Sequence, residues 1–133
     1  ASLPGQHNPQ VEGGGITNLA DYAKLLHVHL NGGYCGETQV LSEESLASMR
    51  EDRGSFTLNP TPYGMGWWIS SDAPGIYTDG GAFGAVSFLD LNTGIGGFIA
   101  IDDYTRRDPG APSAFLSQIA LPLIQEAVRA RYE

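Results

Sequence analysis

The chain is organised around one glycine-rich segment, Tyr77-Thr78-Asp79-Gly80-Gly81-Ala82-Phe83-Gly84, which joins two short runs of strand-forming residues. The first run covers 75–78, and the second covers 85–91. Paired glycines beside a strand indicate a bulge, a hairpin corner or a place where another molecule approaches the backbone. The local pattern alone favours a hairpin corner, so any functional interpretation depends on the surrounding sequence.

The strands around this segment predict one antiparallel sheet of about four strands between residues 64 and 102. Apolar residues alternate with other residues over 64–70, which predicts the first strand. Further strands are expected at 75–79, 85–91 and 97–102. Asn92-Thr93-Gly94 predicts a hairpin turn between the last two strands. These strands carry apolar residues on both faces, so we expect layers packed on both sides of the sheet. The short connections favour antiparallel pairing.

Two helices are predicted before the sheet and one after it, which gives an α+β fold class. The first follows a cap at Thr17 or Asn18 and ends at 31–33, and the second begins at a Ser42 cap. The third is expected from Ser113 to Arg131, with Pro122 bending it near its middle. The helices at each end have apolar stripes: Leu19, Tyr22, Ala23, Leu26 and Leu30 in the first, and Phe115, Leu116, Ile119, Leu123, Ala127 and Val128 in the last.

Composition excludes several classes of function. The 133 residues are 41% hydrophobic and 17% charged, as expected for one globular domain. A net charge of −8 disfavours binding to nucleic acid, and no apolar run is long enough to span a bilayer. The N-terminus lacks the features of a signal peptide and resembles the interior of a longer protein. The only cysteine, Cys35, permits no internal disulfide, and the redox compartment stays open.

No motif indicates a cofactor or a metal ion. The glycines at 13–15 precede a helix, but no Gly-Lys-Ser signature follows them, which disfavours a phosphate site. His27 and His29 are two residues apart on a helix and therefore point to different faces, whereas helical metal pairs use a spacing of four. Cys35 has no evident histidine base, so its thiol is interpreted as incidental.

Several segments, in order, resemble the serine β-lactamase-related hydrolases, a family that includes class C β-lactamases, DD-peptidases and family VIII esterases. Residues 13–22 resemble its Gly-Gly-Leu-x-Ser/Thr-x-x-Asp segment, and 33–46 resemble its "gly-gly, then leu-leu-ser" stretch. The run 63–67 is similar to its Tyr-Gly-Leu-Gly-Trp strand. Residues 79–84 fall where the family has its third catalytic motif, His-x-Gly or Lys-Thr-Gly. The resemblance extends from about residue 8 to the last helix.

This resemblance covers only the C-terminal part of the family's catalytic domain, so residues 1–133 are interpreted as a single partial domain. The family's nucleophile motif, Ser-x-x-Lys, is absent, because the residue three positions before the single lysine, Lys24, is Asp21. The second motif, Tyr-x-Asn or Ser-x-Asn, is absent as well. We therefore expect this chain to be the C-terminal portion of a serine hydrolase acting on an ester or amide, and to be inactive alone. Family resemblance allows a periplasmic or secreted location.

The resemblance implies a catalytic role for Asp79, Gly80, Gly81 and Ala82. The N–H of Ala82 would be the oxyanion donor, and the two glycines would leave the strand edge free of Cβ atoms. Asp79 departs from the family's Lys or His and would repel a substrate carboxylate. We therefore expect little β-lactam hydrolysis and a preference for an ester or amide with a neutral or cationic portion.

The residues leave two alternatives open. A non-catalytic module of the same shape would bind a peptide or other ligand. An unrelated enzyme would use the carboxylates of Asp79 and Asp90, or a metal ion bound at Asp102-Asp103. In addition, the rings of Trp67-Trp68 could form a carbohydrate platform. The expected partners are a small-molecule or peptide substrate, and either the upstream part of the same protein or a second copy at an unpaired strand edge.

Overall fold

In the computed structural model the chain forms an α+β fold, as the sequence predicts. The structure describes residues 15–54, 61–81, 84–100 and 119–132. Within these ranges the elements are α1 (Leu19–Leu30), β1 (Tyr34–Cys35), β2 (Thr38–Gln39), α2 (Glu43–Met49), β3 (Trp68–Ile69), β4 (Ile76–Gly80), β5 (Val86–Asp90), β6 (Ile95–Ile99) and α3 (Leu121–Tyr132). The predicted start of the last helix and its residues Phe115 and Leu116 lie outside the described ranges.

The first two helices begin at the predicted caps. The Asn18 side chain accepts a hydrogen bond from the Asp21 N–H at 3.0 Å. The Ser42 Oγ accepts one from the Ser45 N–H at 3.1 Å. Each cap satisfies an N–H that has no partner inside its own helix, and this explains why both helices start where they do.

A glycine turn after α1 leads into a two-stranded hairpin that the sequence pattern does not predict. Gly33 has a φ of +90°, and a Cβ at this position would collide with the carbonyl oxygen of Leu41. Gly36, at the hairpin turn between β1 and β2, has a φ of +61° and open space around it. Strands of two residues are too short to give an alternating pattern, so only the glycines mark this hairpin.

The main sheet has the strand order β3-β4-β5-β6, with every neighbouring pair antiparallel. The hairpin turn at 91–94 is confirmed, although β6 begins at Ile95, two residues earlier than predicted. The first strand is much shorter than the predicted 64–70. Gly66 has a φ of +84°, which ends the extended backbone before Trp67, so only Trp68 and Ile69 pair with β4.

The register divides the sheet into two apolar faces, and both are covered, as predicted. On one face Ile76, Val86 and Phe88 pack with Leu121 of α3. On the other face Leu89 packs with Leu26 of α1 and with Trp67. Because successive residues of a strand point to opposite faces, β5 contributes to both clusters and is buried along its whole length.

Helix α3 turns a different side to the sheet from the one predicted. Leu121 is buried and Ile124 packs against the first apolar face, whereas Ile119 is 50% exposed and Leu123 is 60% exposed. The expected stripe through Ile119, Leu123 and Ala127 is therefore wrong, and Val128 is half-buried. Pro122 is the second residue of α3, and helical residues 119–120 precede α3 directly. Whether it lies near the middle of the helix stays a prediction, because residues 113–118 lie outside the described ranges.

A buried carboxylate connects α3 to the sheet. Asp90 is 1% exposed, and its Oδ2 accepts hydrogen bonds from Thr93 Oγ1 at 2.6 Å and from Gln125 Nε2 at 2.8 Å. Its Oδ1 accepts from the N–H groups of Asn92 at 2.9 Å and Thr93 at 3.3 Å. Asp90 therefore shapes the 91–94 turn and anchors the helix above it.

Candidate functional site

The segment proposed as a catalytic motif lies at the C-terminal end of β4. Asp79 and Gly80 are the last two residues of that strand, opposite Ser87 and Val86 of β5. The Gly81 N–H donates to the Ala85 carbonyl oxygen at 2.6 Å, which closes the β4–β5 hairpin. Ala82 lies outside the described residues, so its expected role as an oxyanion donor stays a prediction.

Within the described residues, one edge of β4 has no neighbouring strand beside Asp79 and Gly80. The short strand β3 pairs only with Tyr77 and Thr78, so among the described strands none borders the last two residues on that side. Gly80 and Gly81 are both exposed. Neither glycine adds a side chain to the part of this edge that the structure describes.

The Asp79 carboxyl is half-buried and, within the described part of the chain, has no hydrogen-bond donor or cation bound to it. Its backbone carbonyl oxygen accepts a hydrogen bond from Ser87 Oγ at 3.4 Å. Burial raises the pKa of Asp79 above its ordinary value, because the ionised form loses hydration and gains no partner. Among the described residues, no cation or hydrogen-bond donor offsets the charge of this carboxylate.

Tyr77 shares a face of β4 with Asp79 and contacts a cation that the sequence pattern does not place here. The guanidinium of Arg50 lies 5.8 Å from the centroid of the Tyr77 ring. Arg50 also donates through Nη2 to the His29 carbonyl oxygen at 2.5 Å, near the C-terminus of α1. No local sequence signal indicates this contact, which joins residues 21 positions apart.

His29 of α1 is buried. Its ring meets Trp67 edge-on, with the ring centroids 5.3 Å apart. Burial, with a smaller contribution from the Arg50 charge, lowers the pKa of His29, so the imidazole is neutral at pH 7. Its Nδ1 has no hydrogen-bond partner among the described residues. His29 is thus a core residue on the α1 side of the sheet.

The register excludes the carboxylate pair considered above. Asp79 lies opposite Ser87, while Asp90 lies opposite Ile76. These two positions are on opposite faces of the sheet, so the two carboxylates cannot act on one substrate. Asp102 and Asp103 are outside the described residues.

The other candidate groups do not form a site within the described ranges. Trp67 is 4% exposed and therefore cannot serve as a carbohydrate platform. Cys35 is an exposed free thiol. No group of three or more metal-binding side chains is present in the part of the chain that the structure covers. No described helix is both long and apolar enough to cross a bilayer.

The three helices and the four-stranded antiparallel sheet define a β-lactamase-like fold. A solved structure similar to this chain is that of a candidate beta-lactamase from Bacteroides dorei DSM 17855, with a TM-score of 0.65 and 21% sequence identity. The match covers 89% of this chain and 44% of that one, so the chain spans less than half the length of this neighbour. No family model and no curated protein matches the sequence. At this identity the similarity shows the fold alone.

Proposed function

We propose that this chain forms one wall of an acyl-transfer site in a serine hydrolase that acts on an ester or amide. The single observation that carries the proposal is the edge of β4 at Asp79 and Gly80, which no strand in the described ranges covers, followed by the exposed Gly81. A backbone edge without side chains suits an acyl group that must approach N–H donors closely. The β-lactamase-like fold is consistent with this placement.

The nucleophile belongs to residues outside this chain under the proposal. Neither Ser-x-x-Lys nor a Tyr-x-Asn or Ser-x-Asn motif occurs in the 133 residues. The segment at 79–82 would supply oxyanion stabilisation, and loss of one such donor typically costs a factor of roughly 10² to 10³ in rate. Under the proposal the isolated chain is inactive, and a protein that also supplies the nucleophile segment is active.

Asp79 sets the substrate preference in this proposal. Its carboxyl is half-buried and has no partner in the described part of the chain, so a cationic or neutral hydrogen-bonding group of the substrate would compensate it. A substrate carboxylate at the same place is repelled. For two unit charges about 6 Å apart at an effective dielectric constant of about 40, the interaction is about 1.4 kcal/mol, or tenfold in kcat/KM.

Ester hydrolysis tests the catalytic part of the proposal. A p-nitrophenyl ester is assayed with this chain alone, with a separately produced upstream fragment, and with the intact longer protein. We expect turnover by the intact protein only. Turnover by the isolated 133 residues would refute the proposal, because they contain no assigned nucleophile. Inactivity of all three samples would also count against it and would favour a non-catalytic module that binds a peptide or other ligand.

Charge reversal at Asp79 tests the substrate preference separately. In the intact protein, Asp79→Lys should improve kcat/KM for an ester carrying a carboxylate by about tenfold or more, relative to its neutral analogue. Asp72→Lys is the matched control, because Asp72 is an exposed carboxylate in the turn before β4. An equal change in both variants would show that net charge, and not the position of Asp79, determines the preference.

A further inference from the structure

Arg50 joins three elements on the α1 side of the sheet. It is the C-cap of α2, and its Nη2 donates to the carbonyl oxygen of His29 in the last turn of α1. Its guanidinium also lies against the ring of Tyr77 in β4. One side chain therefore connects both helices to the strand that ends at the candidate site.

The ring of His29 is enclosed by residues of this chain alone. The residue is 4% exposed, and Trp67 covers the ring edge-on. Its Nδ1 is buried and has no hydrogen-bond partner among the described residues. Any further segment of the domain could only add to this burial, so the environment of the ring does not depend on how the rest of the domain is completed.

Two properties of this environment oppose a charged imidazole. A protonated ring carries an N–H on both nitrogens, so Nδ1 would become a buried donor without an acceptor. The positive charge would also lie close to the guanidinium that is bound to the carbonyl oxygen of the same residue. A helix C-terminus favours a cation, but Arg50 already occupies it. The lowered pKa of His29 agrees with this geometry, and burial contributes more to it than the Arg50 charge.

No carboxylate among the described residues offsets a positive charge at His29 or Arg50. Glu43 lies exposed beside the turn that follows α1. Glu51 is exposed and forms its ion pair with another arginine. Asp79 shares this face of the sheet, but no cation is bound to it. The other titratable groups of α1, β1, α2 and β5 are exposed or face other elements: Asp21, Tyr22, Lys24, His27, Tyr34, Cys35, Glu44 and Asp90.

We propose that His29 and Arg50 form an acid-sensitive latch that holds the end of α2 against α1 and β4. At neutral pH the uncharged imidazole lets the guanidinium bind the His29 carbonyl oxygen and the Tyr77 ring. When His29 gains a proton, Arg50 is the group that leaves, because the imidazole is enclosed whereas Arg50 is only half-buried. Water then hydrates the charged ring from the side that the guanidinium has left. Helix α1 stays on the sheet through Leu26 and Leu89, and the latch does not depend on the acyl transfer proposed above.

Nitrogen-15 NMR of the intact protein between pH 7 and pH 5 tests the latch. Arg50 Nε is buried, so its N–H signal should lie apart from those of exposed arginines at pH 7. We expect this signal to move to the exposed position over the pH range in which the His29 ring becomes protonated, while the amide signals of β5 persist. A signal that stays in place down to pH 5 would overturn the proposal. Simultaneous loss of the β5 signals would overturn it as well, because it would show global unfolding.

Matched substitutions on α1 separate His29 from a general effect of acid. His29→Gln keeps a polar side chain that takes up no proton, so the Arg50 signal should stay in place down to pH 5. His27→Gln removes an exposed histidine from the same helix and should behave as the wild type. Equal behaviour of the two variants would refute the role of His29. If His29→Gln does not fold, Arg50→Met tests the coupling from the other side. Without the guanidinium the His29 ring should become protonated at a higher pH, and an unchanged titration would contradict the latch.

The latch also predicts a pH dependence of unfolding with a definite sign. Because folding lowers the pKa of His29, its contribution to stability is complete above the pKa of the unfolded histidine, about 6.5, and is lost as pH falls below it. The ratio of the unfolding equilibrium constants of wild type and His29→Gln should therefore rise by about tenfold between pH 7 and pH 5. Urea unfolding at both pH values measures this ratio. A constant ratio would overturn the proposal, because proton uptake by His29 would then not weaken the fold.

Discussion

Replacing Gln125 by Ala should lower the free energy of unfolding by about 2 kcal/mol at pH 7, because it removes a hydrogen bond to a buried carboxylate. Gln125 Nε2 lies 2.8 Å from Asp90 Oδ2, and Asp90 is 1% exposed. A hydrogen bond to a charged group contributes about 1.5 to 3 kcal/mol. Alanine is the better helix former by a few tenths of a kcal/mol, which offsets a small part of the loss.

The effect should depend on pH in a definite direction. Burial alone raises the pKa of Asp90, but the hydrogen bonds from Thr93, Gln125 and two backbone N–H groups outweigh it and hold the pKa below its ordinary value. A carboxyl whose pKa is lowered by folding stabilises the fold fully above its unfolded pKa, and this contribution is lost as pH falls through the folded pKa. The difference between wild type and variant should therefore shrink below about pH 4.

Urea unfolding followed by tryptophan fluorescence measures this difference, since Trp67 is buried in the α1-side cluster. Glu126→Ala is the control, because Glu126 is the exposed neighbour of Gln125 on the same helix. A loss below about 0.5 kcal/mol for Gln125→Ala, which is the usual range for surface substitutions, would refute the anchoring role. A loss of the same size at all pH values would refute its assignment to the ionised Asp90.

Three further substitutions have defined outcomes. Asp79→Asn should raise the free energy of unfolding at pH 7 by less than about 1 kcal/mol, because folding disfavours the ionised carboxyl. This gain should vanish below about pH 4, where the carboxyl is protonated in both the folded and the unfolded state. In the same urea titration, the exposed Asp72→Asn should show no gain. Gly33→Ala should cost more than about 3 kcal/mol, since its Cβ meets backbone, whereas Gly36→Ala should cost only about 1 kcal/mol in thermal melts. Arg50→Met should cost about 1 to 2 kcal/mol in urea, through loss of its contacts with the end of α1 and with an aromatic ring; no measurable cost would show that neither contact contributes.

The strands and helix caps that follow local rules are predictable from the sequence. Asn18 and Ser42 cap their helices because short polar side chains reach nearby N–H groups, and Asn92-Thr93-Gly94 forms the hairpin turn. Apolar residues on both strand faces correctly indicate two covering layers. All these features depend on residues within a few positions of one another.

Features set by long-range packing could not be predicted in the same way. The side of α3 that faces the sheet is fixed by Leu121 and by the Gln125–Asp90 hydrogen bond, which joins residues 35 positions apart. The predicted stripe through Leu123 is as apolar as the side of the helix that carries Leu121 and Ile124. The spacing of apolar residues therefore does not show which of the two sides packs against the sheet. A positive φ at Gly66 likewise shortens β3, although the alternating pattern continues across it.

The candidate site also combines residues that are predictable from local sequence with a contact that depends on long-range packing. Resemblance to a catalytic motif indicates Asp79, Gly80 and Gly81, and these residues lie together at the end of β4 because they are adjacent in sequence. The position of Arg50 against Tyr77 depends on how two helices meet the sheet, which no local pattern reports. The proposed acyl transfer therefore depends on Asp79, Gly80 and Gly81 at the end of β4.

Strand β5 has a consequence for how this chain loses its structure. Alternate residues of the strand belong to the α1-side and α3-side clusters, and Val86, Phe88 and Leu89 are each at most 1% exposed. If either helix detaches from the sheet, water reaches the β5 side chains that it covers, and the same strand also holds the side chains of the other cluster. The two layers should therefore unfold as one cooperative unit, with the amide protons of β5 among the last to reach solvent.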